Sequence, residues 1–329
     1  MTEPLQAERV AHLVAPFGDD AAPPAPPPAT QRVIPLRRPG RWLATLVILV
    51  LVVQIGYGLY TNEFFQWDRF RYWFLRPVIL DGLVVTLKVT ALSAVLGLFF
   101  GIVLALMRLS RNPVLSTISW VYIWLFRSIP VLVLLLILFN FGALYSTLEV
   151  GVPFGPTFFS VYDASVISPF ALAVIGLTLN ESAFAAEIVR AGVLSVDQGQ
   201  HEAAAALGLP KRYQFRRVIL PQALRPIVPS YVNLLIGLIK STSLVYYVSL
   251  LDVFGKVQTL GATYSGDIVP LLIVATVWYV VLISAVSVVQ YYVERYYSRG
   301  AVRTLPLTPL QKVRRAVSNV HARRTETAR

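Results

Sequence analysis

Residues 187–221 read E-I-V-R-A-G-V-L-S-V-D-Q-G-Q-H-E-A-A-A-A-L-G-L-P-K-R-Y-Q-F-R-R-V-I-L-P, a polar stretch between two strongly apolar segments. Ser195 or Asp197 can accept a hydrogen bond from the free backbone N–H groups at the start of a helix. The alanine-rich run that follows favours a helix, and Gly208 and Pro210 are typical of a helix end. The stretch therefore predicts a short helix joined to a second helical piece.

The composition is that of a chain that crosses a membrane several times. Of 329 residues, 56% are hydrophobic and only 14% are charged, with a mean hydropathy of +0.64. The net charge of +12 would suggest a nucleic-acid partner for a soluble protein. Here Arg and Lys crowd into the tails and two loops, which indicates membrane topology and no nucleic acid. Without cysteine, disulfides and thiolate metal sites are excluded, and the three histidines lie in the tails or the central polar loop.

Six apolar segments are long enough to cross a hydrocarbon core of about 30 Å. The positive residues before the first segment, in the central loop and after the last one place both termini in the cytoplasm. The stretches 142–163 and 251–266 are then external loops. Pro130, in the sequence R-S-I-P, interrupts the third segment and predicts a kink or break there. The six segments are 42–60, 78–109, 118–141, 166–188, 227–250 and 268–293.

Three regions flank or connect these spans without crossing the membrane. Residues 1–41 are rich in Pro and Ala and predict a disordered cytoplasmic tail. Residues 61–78 are aromatic and charged, and suit a linker helix that lies in the headgroup region. Residues 298–329 predict a basic cytoplasmic tail.

A long pattern with fixed spacing runs through the central loop: Glu202-Ala203-Ala204, three residues, Gly208, nine residues, then V-x-L-P at 218–221. This pattern resembles the EAA loop of the membrane subunits of ABC importers, with valine in place of the usual isoleucine. The flanking sequences E-I-V-R-A-G at 187–192 and I-K-S-T-S-L at 239–244 are similar to the polar amino acid branch of that family. An ordinary cytoplasmic helix–turn would explain the Ala and Gly but not so many agreements at fixed spacing.

The resemblance implies an all-α, polytopic protein with a five-helix ABC-importer permease core at 79–297 and one added amino-terminal transmembrane helix at 42–60. It also implies a coupling loop at 188–225 that docks on a separate cytoplasmic ABC ATPase. The other implied partners are a second permease copy or paralogue, an extracytoplasmic solute-binding protein and the lipid of a bacterial inner membrane. The residues expected at the ATPase contact are Gly199, Glu202, Ala203, Ala204, Gly208, Leu220 and Pro221.

Among the charged residues of the predicted spans, Glu181 and Lys240 most need a partner or water. Glu181 could meet the amino group of a substrate, or pair with Lys240 or Arg127 in a purely structural ion pair. Lys240 shares one helical face with Ser230, Asn233, Gly237 and Ser241, a face that also suits close helix packing. The predicted substrate pathway consists of Glu181, Asn233, Lys240, Thr242 and Ser243.

Three other function classes fit the sequence less well. No G-x-x-x-x-G-K-[ST] loop occurs, so this chain is not expected to be an enzyme or to bind a cofactor, and any ATP would be used by a partner. A stand-alone secondary transporter or channel would also have six spans and buried charges, but leaves the spacing of the central loop unexplained. A membrane-embedded enzyme would need clustered His, Cys or paired carboxylates at one depth, and none is visible.

Overall fold

The structure, a computed structural model, describes residues 39–141, 147–152, 155–162 and 167–297. Within these ranges five helices are long and apolar enough to cross a membrane, and a bent helix pair is a sixth candidate if it forms one span. These correspond to the six predicted segments. The basic tail and all but the last three residues of the 1–41 tail lie outside the described residues.

The chain divides into two units, 1–61 and 62–329. The described part of the first is a single helix, α1 (Pro39–Thr61), with apolar residues on all sides, and none of its residues 42–61 is buried. It agrees with the predicted extra span, and it begins three residues earlier, inside the predicted tail.

The second unit opens with a 3₁₀ turn, Glu63–Phe65, and a short amphipathic helix, α2 (Trp67–Phe74). Trp73 is the buried residue of α2, and its indole N–H donates to Asp267 Oδ2 at 2.8 Å. Arg69 completes the contact with an ion pair to Asp267 Oδ1 at 3.0 Å. The predicted linker is therefore helical, while its location in the headgroup region stays a prediction.

The regular structure in the rest of the unit's described residues is helical apart from one hairpin. A π-helical turn, Phe215–Ile219, leads into the helix that starts at Leu220. Two 3₁₀ turns cover Thr242–Val248 and Ser265–Asp267. The helices are α3 (Pro77–Arg108), α4 (Pro113–Ser128), α5 (Val131–Phe139), α6 (Pro169–Leu194), α7 (Gln198–Ala206), α8 (Lys211–Gln214), α9 (Leu220–Ser241), α10 (Val253–Thr263) and α11 (Ile268–Tyr297).

The predicted break at Pro130 is present. Helices α4 and α5 meet there at a bend of 100°. Proline has no N–H and its ring clashes with the preceding turn, so α4 ends at Ser128 and α5 starts afresh after Pro130. The start of α4 lies five residues before the predicted segment because Asn112 caps it, accepting a bond from Val114 N at 2.9 Å.

Two predicted external loops contain regular structure. Strands β1 (Thr147–Gly151) and β2 (Thr157–Tyr162) pair antiparallel within 142–163 and form a short hairpin in a fold of the predicted all-α class. The stretch 251–266 holds helix α10. This helix forms because Asp252 caps it, accepting from Gly255 N at 2.8 Å, and because its face bearing Val253 and Val257 is buried.

Helices α3 and α6 pack at very close range through small residues. A Cβ added to Gly97 would lie 2.7 Å from Glu181 Cγ, and one added to Gly101 would lie 2.6 Å from Ala185 Cβ. Such small residues let membrane helices approach closely. The contact places Glu181 against the backbone of α3.

Candidate coupling loop and transport cleft

Helix α7 of the central loop has the predicted ends. Asp197 rather than Ser195 caps it, because Asp197 Oδ1 accepts from Gly199 N at 2.8 Å while Ser195 Oγ donates to Gly192 O. At the other end Gly208 has φ +65°, a left-handed conformation in which glycine carries no steric penalty. The N–H of Gly208 donates to Ala205 O at 2.9 Å, as expected for a glycine helix stop.

Two glutamines tie α7 to the helices that follow it. Gln214 Nε2 donates to His201 O at 2.8 Å, and Gln222 Nε2 donates to Gln200 Oε1 at 3.2 Å. The second bond joins α7 to α9, which starts at Leu220 with Pro221 in its first turn. Side-chain hydrogen bonds therefore join α7 to both α8 and α9.

The exposure of the loop refines its predicted docking residues. Glu202, Ala203 and Gly208 are exposed, but Ala204 is 3% exposed and packs inside the chain. Leu207, which sequence reasoning missed, is 76% exposed. In the sequence, this exposed residue could have been recognised as an apolar leucine next to the helix-ending glycine of an otherwise polar loop.

A small apolar core holds the loop to the end of α6. Its buried members come from the loop, the π-helical turn and α9, and Gly192 of α6 packs against one of them, Ile227. The four buried residues are Val196, Ile219, Ala223 and Ile227.

A cleft of about 410 Å³ lies where α4 breaks, between α6 and α9. Glu181 lines it and is 3% exposed, and its Oε1 has no hydrogen-bond partner among the described residues. Arg127 lines the same cleft, with its guanidinium 5.2 Å from the ring centre of Phe184. Within the described ranges Glu181 forms no ion pair with Arg127 or Lys240, so neither structural pair suggested by the sequence is present.

The break at Pro130 also explains Asn180, which sequence reasoning missed. In an unbroken helix the N–H of residue 130 would donate to the carbonyl of Phe126, and proline has no N–H to offer. Asn180 Nδ2 donates to that carbonyl instead, at 2.9 Å. Inside a membrane each backbone group needs such a partner. In the sequence, Asn180 could have been recognised as a polar residue next to Glu181 within an apolar span.

The other predicted pathway residues do not all reach the cleft. From α9 it is lined by Gly237 and Ser241 among others, whereas Lys240 is exposed on the surface of the chain. Asn233 is exposed and lines a second cavity, of about 480 Å³, with Glu294 at the end of α11.

The last two predicted residues follow the end of α9. Thr242 is 0% exposed, and its hydroxyl donates to Ile239 O at 2.7 Å. It does not line the cleft, and its place in the pathway stays a prediction. Ser243 is half-buried and donates to Lys240 O at 2.8 Å.

Residues 97–299 match the family described as the binding-protein-dependent transport system inner membrane component, and the chain belongs to it. The chain is thus the membrane subunit of an ABC importer, as the central loop indicated. Curated relatives narrow the class to permeases for amino acids. The arginine transport system permease protein ArgU of Corynebacterium glutamicum is 40% identical over 274 residues, covering 82% of this chain and 84% of the relative. The glutamate/aspartate import permease protein GltK of Escherichia coli is 36% identical over 217 residues, covering 65% and 92%.

Solved structures agree with this class. A crystal structure of an amino acid ABC transporter with histidines superposes with a TM-score of 0.57 at 30% identity, covering 67% of this chain and 94% of that one. The inward-facing MetNI methionine ABC transporter, at 22% identity and a TM-score of 0.53, shares the fold, covering 67% and 96%. Subunits of this kind carry solutes across the inner membrane and work with ATPase and solute-binding subunits.

Proposed function

We propose that this chain forms the translocation pathway of an ATP-driven importer for polar amino acids and that residues 195–221 couple it to a separate ATPase. The relatives named for arginine and for glutamate and aspartate support an amino acid as cargo. In the proposed topology both termini and α7 are cytoplasmic, and the hairpin β1–β2 is external. The distribution of Arg and Lys supports this orientation.

The observation that carries the proposal is the buried carboxylate of Glu181, whose Oε1 has no hydrogen-bond partner among the described residues, in a cleft that Arg127 also lines. A buried carboxylate without a cation is unfavourable, and the ammonium group of an amino acid would supply the missing charge. Arg127 could hold the α-carboxylate of the same molecule, because a guanidinium binds carboxylates with two parallel bonds. A cleft with one group of each sign matches an α-amino acid better than it matches a neutral sugar.

The coupling half of the proposal rests on the surface of α7. Glu202 and Leu207 are exposed near a sharp turn at Gly208, while Gln200 and the apolar core below fix the helix to α9. A rigid, exposed helix of this kind can transmit closure of an ATPase pair to the membrane helices.

The experiment reconstitutes the chain in liposomes with candidate ATPase and solute-binding subunits from the same cell, using labelled L-arginine as the probe. We expect uptake that requires ATP and is competed by other polar amino acids but not by glucose. Glu181→Gln should lower uptake about 10- to 100-fold, since a bond to a charged group is worth roughly 1.5–3 kcal/mol. Glu63→Gln, which alters an exposed carboxylate outside the cleft, is the control.

Each other outcome contradicts a part of the proposal. Flux through the chain alone, without ATP or partners, would favour a secondary transporter. Uptake competed equally by glucose would overturn the amino acid cargo. Normal uptake by Glu181→Gln would remove Glu181 from the pathway, and failure of that variant to assemble would make its role structural.

A further inference from the structure

A third cavity, of about 360 Å³, lies between α3, α4 and α6. It shares no lining residue with the cleft that contains Glu181. Its lining is almost wholly apolar, and three of the lining residues, Phe100, Val103 and Ile175, are also exposed on the surface of the chain. The cavity therefore opens to the outside of the chain through apolar residues of two long membrane helices.

The polar groups of this cavity are few. Its lining contains no charged side chain among the described residues, and its hydroxyls are those of Tyr122 and Thr178. The Tyr122 hydroxyl is already engaged, 2.9 Å from Ser182 Oγ and 3.2 Å from Leu179 O, while the buried Thr178 hydroxyl has no partner within the described ranges. An apolar cavity of about 150 Å³ is enough to take up benzene, so one of this size has room for part of an acyl chain.

Helix α3 leads from this cavity to a basic residue. Leu96, Phe100, Leu104 and Arg108 follow one another at steps of four residues and so form one ridge on the helix. At about 1.5 Å per residue, Arg108 lies about 6 Å beyond Leu104 and about 18 Å from Leu96 along the helix. Each leaflet contributes about 15 Å of hydrocarbon. When the cavity lies in the acyl region of one leaflet, Arg108 therefore lies at the depth of the phosphate groups.

Two arginines at this end have no carboxylate partner. Arg108 donates to Ser116 Oγ at 2.9 Å, and Arg111 is exposed. Within the described part of the chain neither of them forms an ion pair. Helix α4 starts directly after them behind its cap, Asn112, and the positive end of its dipole lies there. A phosphate group is favoured by both features, since guanidinium groups bind it through charge-assisted hydrogen bonds.

We infer that this part of the chain is a binding site for one anionic phospholipid, with the phosphate at Arg108 and Arg111 and one acyl chain in the cavity. A phospholipid joins a negative group to an apolar chain at the spacing that the ridge of α3 provides. An apolar helix of a second copy would fill the cavity but would bring no anion to the arginines. The site depends neither on the proposed cargo nor on the orientation of the chain in the membrane.

The first arm of the test concerns the headgroup. The purified full-length chain, freed of lipid in detergent, is titrated with dioleoyl phosphatidylglycerol or dioleoyl phosphatidylcholine, and native mass spectrometry gives the Kd of the first bound lipid. Phosphatidylglycerol should bind about 5- to 25-fold more tightly, because each arginine near the membrane surface contributes about fivefold. Arg111→Gln should remove about fivefold of this preference. Arg76→Gln, which alters an exposed arginine at the other end of α3, is the control and should leave it unchanged.

The second arm concerns the acyl chain. Val103 and Val95 are both exposed valines of α3, but of the two only Val103 lines the cavity. Val103→Trp should lower the affinity for both lipids about tenfold or more, the factor that roughly two buried methylenes provide. Val95→Trp should leave both affinities unchanged. Thr178→Val removes the free hydroxyl and should not weaken the binding of phosphatidylglycerol.

Equal affinities for the two lipids, or equal losses with Arg111→Gln and Arg76→Gln, would overturn the headgroup contact. Unchanged binding by Val103→Trp would overturn the acyl contact, and this result is expected if a second copy of the chain or its helix α1 fills the cavity. A loss with Thr178→Val as large as that with Arg111→Gln would mean that the cavity takes a polar ligand. Displacement of phosphatidylglycerol by millimolar inorganic phosphate would mean a site for free phosphate rather than for a lipid.

Discussion

The apolar core under the coupling loop can be tested by adding one methyl group at Gly192. A Cβ there would lie inside contact distance of Ile227 Cγ1, 2.8 Å from its Cδ1 and 3.1 Å from the carbonyl oxygen of Ala223. Since carbon atoms pack best at about 3.5–4.0 Å, the isoleucine would have to move by roughly 1 Å. Overpacking of this kind costs about 1–3 kcal/mol. Gly192→Ala should therefore weaken the attachment of α9 to α6.

The gain in helix propensity from Gly to Ala has to be separated from this cost. Gly237 of α9 is the matched position, because a Cβ there meets no atom within 4 Å. Gly237→Ala should stabilise by up to about 1 kcal/mol through propensity alone. The free energy of unfolding of Gly192→Ala should lie about 1–3 kcal/mol below that of Gly237→Ala.

A second substitution, at Ile227, tests whether the clash with this side chain causes the loss of stability. Ile227→Ala removes both clashing carbons, and alone it should cost about 2–5 kcal/mol because the residue is buried. In the double variant the added methyl fills part of the space, so the two effects should fall short of their sum by about 1–3 kcal/mol. Unfolding of the purified chain in mixed micelles, followed by tryptophan fluorescence, gives these free energies. Additive effects, or a Gly192→Ala variant as stable as Gly237→Ala, would refute the reasoning.

Two further predictions concern the coupling loop and the broken helix. The variants Glu202→Lys and Gly208→Val should insert into the membrane normally but uncouple ATP hydrolysis from uptake. Glu202→Lys reverses an exposed charge. Gly208→Val adds a backbone strain of about 1–2 kcal/mol at φ +65°. Co-purification with the ATPase and uptake per ATP measure this, and normal uptake by both would contradict it. Asn180→Leu should destabilise the chain by about 1–2 kcal/mol because the carbonyl of Phe126 loses its donor. Asn140→Leu, which alters an exposed amide, is the control for the same unfolding measurement, and an equal loss in both would count against this role.

Local signals in the sequence were sufficient for much of this fold. Asp197 and Gly208 mark the two ends of α7, because a helix cap and a left-handed glycine act through neighbouring backbone atoms. Pro130 broke its span because a missing N–H and a ring clash are properties of the residue itself. The family could also be predicted from the sequence, because the resemblance rests on the spacing of residues within one loop.

What the sequence did not predict depends on contacts between distant residues or on a change of helix type. Asn180 finds its role only when α6 lies beside the carbonyl of Phe126, 54 positions earlier. The sequence predicted one apolar span over 227–250, but the chain changes at Thr242 from an α-helix, which advances 100° per residue, to a 3₁₀ turn, which advances 120°. Helix α10, with 11 residues, is too short to be recognised by length as a membrane span.

The close fit of α3 on α6 restricts how the molecule can change shape. Gly97 and Gly101 leave no room for the two helices to slide, and Tyr122 of α4 adds a bond of 2.9 Å to Ser182 of α6. These three helices should therefore behave as one rigid body. Helix α9 lies between two changes of helix type, the π-helical turn before it and the 3₁₀ turn after it, and such changes often mark hinges.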